Sequence, residues 1–106
     1  MTAESQQHLI TAILPADVDT LALAAALHEH FGITAVFRHS GRGIGRTTRR
    51  VRRAPLIPER RSLFSVEVAA ERVEEVFAWL IESARIRRMG GGFIYQQRLR
   101  SSLLDT

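Results

Sequence analysis

The sequence contains no cysteine and no lysine. The lack of cysteine excludes a disulfide scaffold and thiolate metal sites, and it favours a reducing cellular compartment. No apolar run approaches the roughly 18 residues that cross a membrane. Residues 1–7 are polar and lack the basic start and apolar stretch of a secretory signal. We therefore expect a cytoplasmic protein.

Because lysine is absent, all 15 basic residues are arginines, and they are unevenly distributed. From Arg38 to Arg61 the chain has nine arginines and one acid, Glu59, so this segment carries a formal charge of +8. The remainder has six arginines and ten acids, a formal charge of −4. A segment this cationic attracts phosphates, nucleic acids, acidic protein surfaces or anionic membranes.

Hydrophobic periodicity predicts six regular elements. Alternating apolar residues indicate strands over 8–14, 33–39, 63–69 and 93–99. Apolar residues spaced three and four apart indicate two helices, one from an N-cap at Asp17 to Phe31 and one over 70–86. Two successive βαβ units form a four-stranded antiparallel sheet with both helices on one face. We therefore predict an α+β, ferredoxin-like fold.

At 106 residues the chain has the size of a single domain. We divide it into a first half over 8–39, a long arginine-rich loop over 40–62, a second half over 63–100 and a tail over 101–106. Loops of about twenty residues are uncommon in compact domains and are usually functional. The sheet face opposite the helices is partly apolar, so we expect self-association to bury it.

Three short segments carry the residue types that bind anions. They are Arg42-Gly43-Ile44-Gly45-Arg46, Arg87-Arg88-Met89-Gly90-Gly91-Gly92 and Arg98-Leu99-Arg100. Glycines let backbone N–H groups approach an anion, and arginines add paired donors for phosphate. Neither glycine-rich segment has the strand–loop–helix context of a nucleotide-binding motif. The alternative is that the glycines only form turns and the arginines only face water, and composition leaves both interpretations open.

Taken in order along the chain, these segments resemble the PII signal-transduction family, and the resemblance extends from the first strand to Arg100. Ile10–Pro15 is similar to that family's opening strand. Residues 42–46 resemble Lys-Gly-Phe-Gly-Arg at the base of its T-loop, the long loop between the second and third strands. Residues 88–95 resemble Lys-Ile-Gly-Asp-Gly-Lys-Ile-Phe of its B-loop, and 98–100 resemble Arg-Ile-Arg of its C-terminal loop.

The resemblance implies a regulatory homotrimer that is not an enzyme and that binds ATP, ADP or AMP in clefts between subunits. The residues that it assigns to this effector site are Gly43, Gly45, Arg46, Arg88, Met89, Gly90, Gly91, Gly92, Arg98 and Arg100. A target protein, either a membrane transporter or an enzyme, would dock on the T-loop arginines Arg49, Arg50, Arg52, Arg53, Arg60 and Arg61. We expect no metal site, no resident cofactor and no catalytic residues.

The sequence departs from the family pattern at several positions. Thr47 stands where the family has the glutamine that helps to bind magnesium and 2-oxoglutarate. Gly91 replaces the B-loop aspartate, Phe93 replaces its lysine, and the long loop has no tyrosine for nucleotidylation. These differences indicate a divergent PII-like protein. Divergent members associated with inorganic-carbon transport or carboxysomes are the most similar, so bicarbonate is a second candidate effector and a transporter would bring the protein to a membrane.

The main alternative is a nucleic-acid-binding module of the same fold that uses the basic loop to contact phosphates. RNA-binding domains of this shape stack bases on aromatic side chains of the sheet, and only Phe93 and Tyr95 are available here. The histidines lack the i, i+4 spacing of a helical metal site, which disfavours a metal-tolerance protein of similar trimeric fold. No nucleophile stands next to a base, so an enzyme is the least favoured class.

Overall fold

The computed structural model describes residues 6–43 and 59–99. Its strands are β1 (Gln7–Pro15), β2 (Val36–Gly43), β3 (Glu59–Ala69) and β4 (Phe93–Arg98), and its helices are α1 (Thr20–Phe31), a short 3-10 helix (Ala70–Arg72) and α2 (Val73–Ser83). The strands form one antiparallel sheet in the order β2-β3-β1-β4. The predicted α+β, ferredoxin-like architecture is confirmed. Within the described ranges, neither helix is long and apolar enough to cross a membrane.

One face of the sheet and the two helices enclose the hydrophobic core. In the two central strands, Ile10 lies opposite Val66 and Ala12 lies opposite Phe64, and all four side chains are fully buried. The helices add Leu23, Leu27, Val73, Val76 and Leu80 to the same cluster. Burial of one large apolar side chain contributes about 1.5–3 kcal/mol, so this shared interface holds the helices against the sheet.

Helix α1 begins later than predicted, because Asp19 rather than Asp17 is its N-cap. The carboxylate of Asp19 accepts a hydrogen bond of 3.0 Å from the backbone N–H of Ala22. Gly32 ends the helix in the left-handed conformation, with φ of 69°, which glycine adopts without steric cost. Asp17 therefore lies free of the helix, in the turn between β1 and α1.

The two strands that flank the long loop also extend further into it than predicted. Strand β2 continues to Gly43 and β3 begins at Glu59, so part of the predicted loop over 40–62 is regular hairpin. Backbone pairing alone supports this extension, with Gly41 opposite Arg61 and Gly43 opposite Glu59. Such pairing leaves no hydrophobic period in the sequence, which is why the prediction missed it.

Helix α2 is shorter than the helix predicted over 70–86. Residues 70–72 form the 3-10 helix, and the chain turns over residues 84–87. Arg85 has φ of 57°, a left-handed value that is uncommon outside glycine and that ends the helical path. The turn that follows carries the glycine-rich segment 90–92 to the start of β4.

Candidate functional site

The sheet face opposite the helices, called the open face below, has exposed apolar residues at its borders and buried polar residues at its centre. Its centre is polar and closely packed, since the Thr11 and Ser65 hydroxyl groups lie 3.2 Å apart in a buried hydrogen bond. Large apolar side chains surround this centre with much of their surface in water; they are Phe37, Leu63, Phe93 and Tyr95. The predicted, partly apolar open face is therefore present, and its borders are more apolar than its centre.

The hairpin formed by β2 and β3 projects past the end of β1. Strand β1 ends at Pro15, opposite Arg61, whereas β2 and β3 continue to pair as Arg42 with Arg60 and Gly43 with Glu59. Arg60 and Arg61 therefore lie at the described end of the hairpin, close to where residues 44–58 begin and end.

The structure thus places Gly43, Arg60 and Arg61 together at the base of the long loop. The Arg61 guanidinium donates a hydrogen bond of 3.3 Å to the Arg60 carbonyl oxygen, and Arg60 is exposed. The remaining predicted loop residues lie outside the described residues, as does the last residue of the C-terminal motif. These are Gly45, Arg46, Thr47, Arg49, Arg50, Arg52, Arg53 and Arg100.

The glycines of the segment 90–92 are required by backbone conformation or by close packing. Gly90 and Gly92 have φ of 72° and 93°. A Cβ atom at Gly92 would collide with the Ile13 carbonyl oxygen, and one at Gly91 would lie 2.6 Å from the Arg85 carbonyl oxygen. An aspartate at position 91 would not fit this turn, which gives a physical reason for the departure from the family pattern.

The same turn restricts which groups can contact an anion. The Gly91 N–H donates a hydrogen bond of 2.9 Å to the Arg88 carbonyl oxygen. We expected the N–H groups of Gly90, Gly91 and Gly92 to face a phosphate together, but in this conformation that of Gly91 is already used inside the turn. Met89, at the tip of the turn, is almost fully exposed.

Arg88 has a partner that the sequence did not predict. Its two terminal nitrogens donate to the two oxygens of Asp17 at 2.9 and 2.7 Å, a bidentate pair between residues 71 positions apart. The hydrogen bonds from Arg88 lower the pKa of the Asp17 carboxyl, and Asp17 raises the pKa of the guanidinium. Among the described residues, the buried Nε of Arg88 has no hydrogen-bond partner. No local sequence pattern reports a pair this distant.

A cavity of about 360 Å³ lies between the N-terminal half of α1 and the C-terminal end of α2. The residues that line it include Leu23, Ala26 and Trp79, together with Arg85 and the Asp17–Arg88 pair. Trp79 packs edge-on against Phe31, with ring centroids 5.7 Å apart. The cavity is on the helix side of the sheet, away from the open face, and no sequence pattern predicted it.

Arg98 lies far from the segment 88–92 within one chain. Strand β4 separates them, because this segment precedes its first residue and Arg98 is its last. At about 3.4 Å per residue, the two ends of β4 are roughly 17 Å apart. Arg98 instead lies opposite His8 at the start of β1, and it is exposed. A single chain therefore does not bring the predicted effector residues together.

No group of three or more histidine, aspartate or glutamate side chains that could hold a metal ion occurs among the residues at 6–43 and 59–99. His8 Nδ1 lies 2.7 Å from Gln96 Oε1, across the pair of strands β1 and β4. His30 lies 5.6 Å from Trp79, centroid to centroid, on the outer side of the helices. His8 therefore has an amide neighbour and His30 an aromatic one, which are structural contacts and not metal ligands.

No family model matches the sequence. No curated protein matches it either. The structure is similar to the crystal structure of Arabidopsis thaliana PII bound to citrate, with a TM-score of 0.68 and 23% sequence identity. The similarity covers 91% of this chain and 79% of that chain. At this level of identity the likeness shows a shared fold, with the described elements of this chain in the PII arrangement.

Proposed function

We propose that this protein, which has the PII fold, is a PII-like regulator that binds a small anionic effector between subunits of a homotrimer. The observation that carries the proposal is the likeness to PII over 91% of the chain. The motifs that resemble the T-loop base and the B-loop support it, because the hairpin base and the turn before β4 occupy the same end of β1, near Pro15 and Ile13. Nothing in this arrangement requires catalysis.

The proposed trimer follows from two features of the single chain. The open sheet face exposes apolar side chains such as Phe37 and Phe93, which are 45% and 57% accessible. Burial of such a patch against other copies is favourable by about 25 cal/mol for each Å². In addition, Arg98 lies at the opposite end of β4 from the turn that begins with Arg88. A neighbouring subunit would have to supply the second cationic edge of the effector site.

The proposed effector is an adenine nucleotide, ATP, ADP or AMP, with bicarbonate as the alternative anion. Arginine side chains on the turn before β4 and on the end of β4 are suited to phosphate, since the guanidinium group holds oxyanions with two parallel hydrogen bonds. Effector binding would order or release the T-loop, which would then dock on a transporter or an enzyme. The proposed context is inorganic-carbon uptake. In this context the protein would reach a membrane only through its target.

Calorimetric titration of the full chain with ATP, ADP, AMP and bicarbonate tests the effector. We expect Arg98→Gln to weaken nucleotide affinity by about tenfold or more, because a charge-assisted hydrogen bond contributes roughly 1.5–3 kcal/mol. Arg87→Gln is the matched control, since Arg87 makes a long, exposed contact of 3.6 Å with Glu82. Failure of all four compounds to bind the wild-type chain would remove the proposed effectors.

Nucleic-acid binding is the second candidate function, and one observation favours it. Phe93 and Tyr95 are exposed on β4 with stacked rings, 6.2 Å apart and inclined by 22°. Such a pair can receive an unpaired base. However, it lies on an edge strand, and the central strands carry the buried groups Thr11, Ser65 and Glu67 instead of aromatic residues. Fluorescence titration with single-stranded RNA across salt concentrations distinguishes this function, because phosphate contacts weaken steeply with salt.

A further inference from the structure

The Asp17 carboxylate is already bound to the Arg88 guanidinium, which is one of the groups of the proposed effector site. An arginine can hold an oxyanion along the edge formed by its two terminal nitrogens or along the edge that includes Nε. Asp17 occupies the first edge with two hydrogen bonds of 2.9 and 2.7 Å. The second edge includes Nε of Arg88, which is buried. In this conformation neither edge can hold a phosphate in the bidentate manner.

We propose that Asp17 is an internal competitor of the effector, so that a phosphate group binds Arg88 only after it displaces the Asp17 carboxylate. This inference rests on the proposed function, because it takes Arg88 as part of that effector site. The apparent dissociation constant is then the intrinsic one divided by the fraction of molecules in which the pair is open. Asp17 would thus set the effector concentration at which the protein responds.

The burial of the two partners shows which of them can move. The side chain of Asp17 is 65% exposed, whereas that of Arg88 is 28% exposed. The backbone of Arg88 is also held in its turn, since its N–H donates to the Arg85 carbonyl oxygen and its own carbonyl oxygen accepts from Gly91. Rotation of the Asp17 carboxylate into water costs little contact, so Arg88 stays in place when the pair opens.

Displacement of Asp17 would also affect the adjacent cavity between α1 and α2. Asp17 lies two residues before the N-cap of α1 and is one of the residues that line the cavity between α1 and α2. An effector that takes Arg88 releases this turn from the segment that precedes β4. Because Asp17 and Arg88 both line this cavity, a molecule that binds there and stabilises the closed pair would oppose the effector.

A neighbouring pair provides the control for charge alone. Arg87 lies 3.6 Å from Glu82, and both side chains are 76% exposed. Glu82→Gln removes one negative charge near the same turn but leaves Arg88 paired. Asp17→Asn removes one negative charge and weakens the hold on Arg88. The two variants have the same net charge. A difference between their effector affinities would therefore come from the loss of the Asp17 carboxylate as a competitor for Arg88.

Titration of the wild type and both variants with ADP and with pyrophosphate tests the proposal. We expect Asp17→Asn to tighten binding by about two- to fivefold, the range that corresponds to an exposed ion pair, and Glu82→Gln to change it by less than half of that. In an Arg88→Gln background, Asp17→Asn should have no effect on affinity. Thermal unfolding checks that each variant is folded, and Asp17→Ser serves as a second variant if Asp17→Asn is not.

Three results would overturn the proposal, and they are distinguishable. If the wild type binds ADP, and Asp17→Asn and Glu82→Gln change the ADP affinity equally, internal competition is wrong while the proposed effector site stands. If neither ADP nor pyrophosphate binds any of these proteins, the effector site and the competition fail together. A tighter Asp17→Asn that keeps its advantage in the Arg88→Gln background would also overturn it, because the carboxylate would then act by general charge.

Discussion

Gly92 illustrates how a single position can be fixed by its neighbours. Its φ of 93° and its close approach to the Ile13 carbonyl oxygen leave no room for a side chain. We expect Gly92→Ala to lower the free energy of unfolding by about 1–3 kcal/mol, the usual cost of a residue forced into such a conformation. Gly41→Ala is the control, because nothing lies within 4 Å of a Cβ atom there. Urea denaturation measures both, and a Gly92→Ala variant as stable as Gly41→Ala would contradict the packing.

Asp17 makes stability depend on pH in a direction set by its partner. Hydrogen bonds from Arg88 hold its pKa in the folded protein below the ordinary value of 3.8. As the pH falls, Asp17 is therefore protonated in the unfolded chain before it is protonated in the folded protein. The stability that the pair contributes is present above about pH 4 and is lost as the pH falls further. We expect the wild type to exceed Asp17→Asn in stability at pH 6 and the difference to shrink at pH 3. Urea denaturation at the two pH values measures this difference, and a constant difference would exclude the pair as its source.

Helix α1 shows how a cap determines the start of an element. Asp19→Ala should lower the free energy of unfolding by about 1 kcal/mol, because the Ala22 N–H loses its acceptor. Asp19→Asn should cost much less, since an asparagine oxygen can accept the same hydrogen bond. Chemical denaturation, followed by the circular dichroism signal of the helices, measures the free energy of unfolding of both variants. Equal losses in the two would indicate that charge, and not capping, is responsible.

The hydrophobic core could be predicted from the sequence, whereas the partners of individual polar residues could not. The apolar period over Val73–Leu80 and the alternation in β1 and β3 predict the core, since each buries one face of an element. Two aspartates, Asp17 and Asp19, both precede α1, and composition alone does not tell a cap from a partner of Arg88. Side-chain pairing across 71 positions and backbone pairing in a charged hairpin leave no periodic signal. These features required the three-dimensional arrangement.

For the whole molecule, the open sheet face makes a clear prediction about assembly. Leu63 lies on this face and is 37% exposed, whereas Leu21 lies on α1 and is 64% exposed. We expect Leu63→Glu to dissociate the proposed trimer and Leu21→Glu to leave it intact, because a carboxylate in an apolar interface loses hydration without gaining a partner. Sedimentation velocity and native mass spectrometry measure the state of association. A wild-type monomer, or a trimer that tolerates Leu63→Glu, would contradict this assignment of the face.

The position of β1 in the sheet has a consequence for how the chain acquires its structure. Strand β1 is translated before both of its neighbours, since His8 pairs with Val68 and with Arg98. Contacts between residues so distant in sequence slow folding, because the entropy of closing the chain is lost before the contacts form. The nascent chain therefore keeps β1 unpaired until β3 has been translated. Chaperone contact during translation would protect that strand from pairing with other chains.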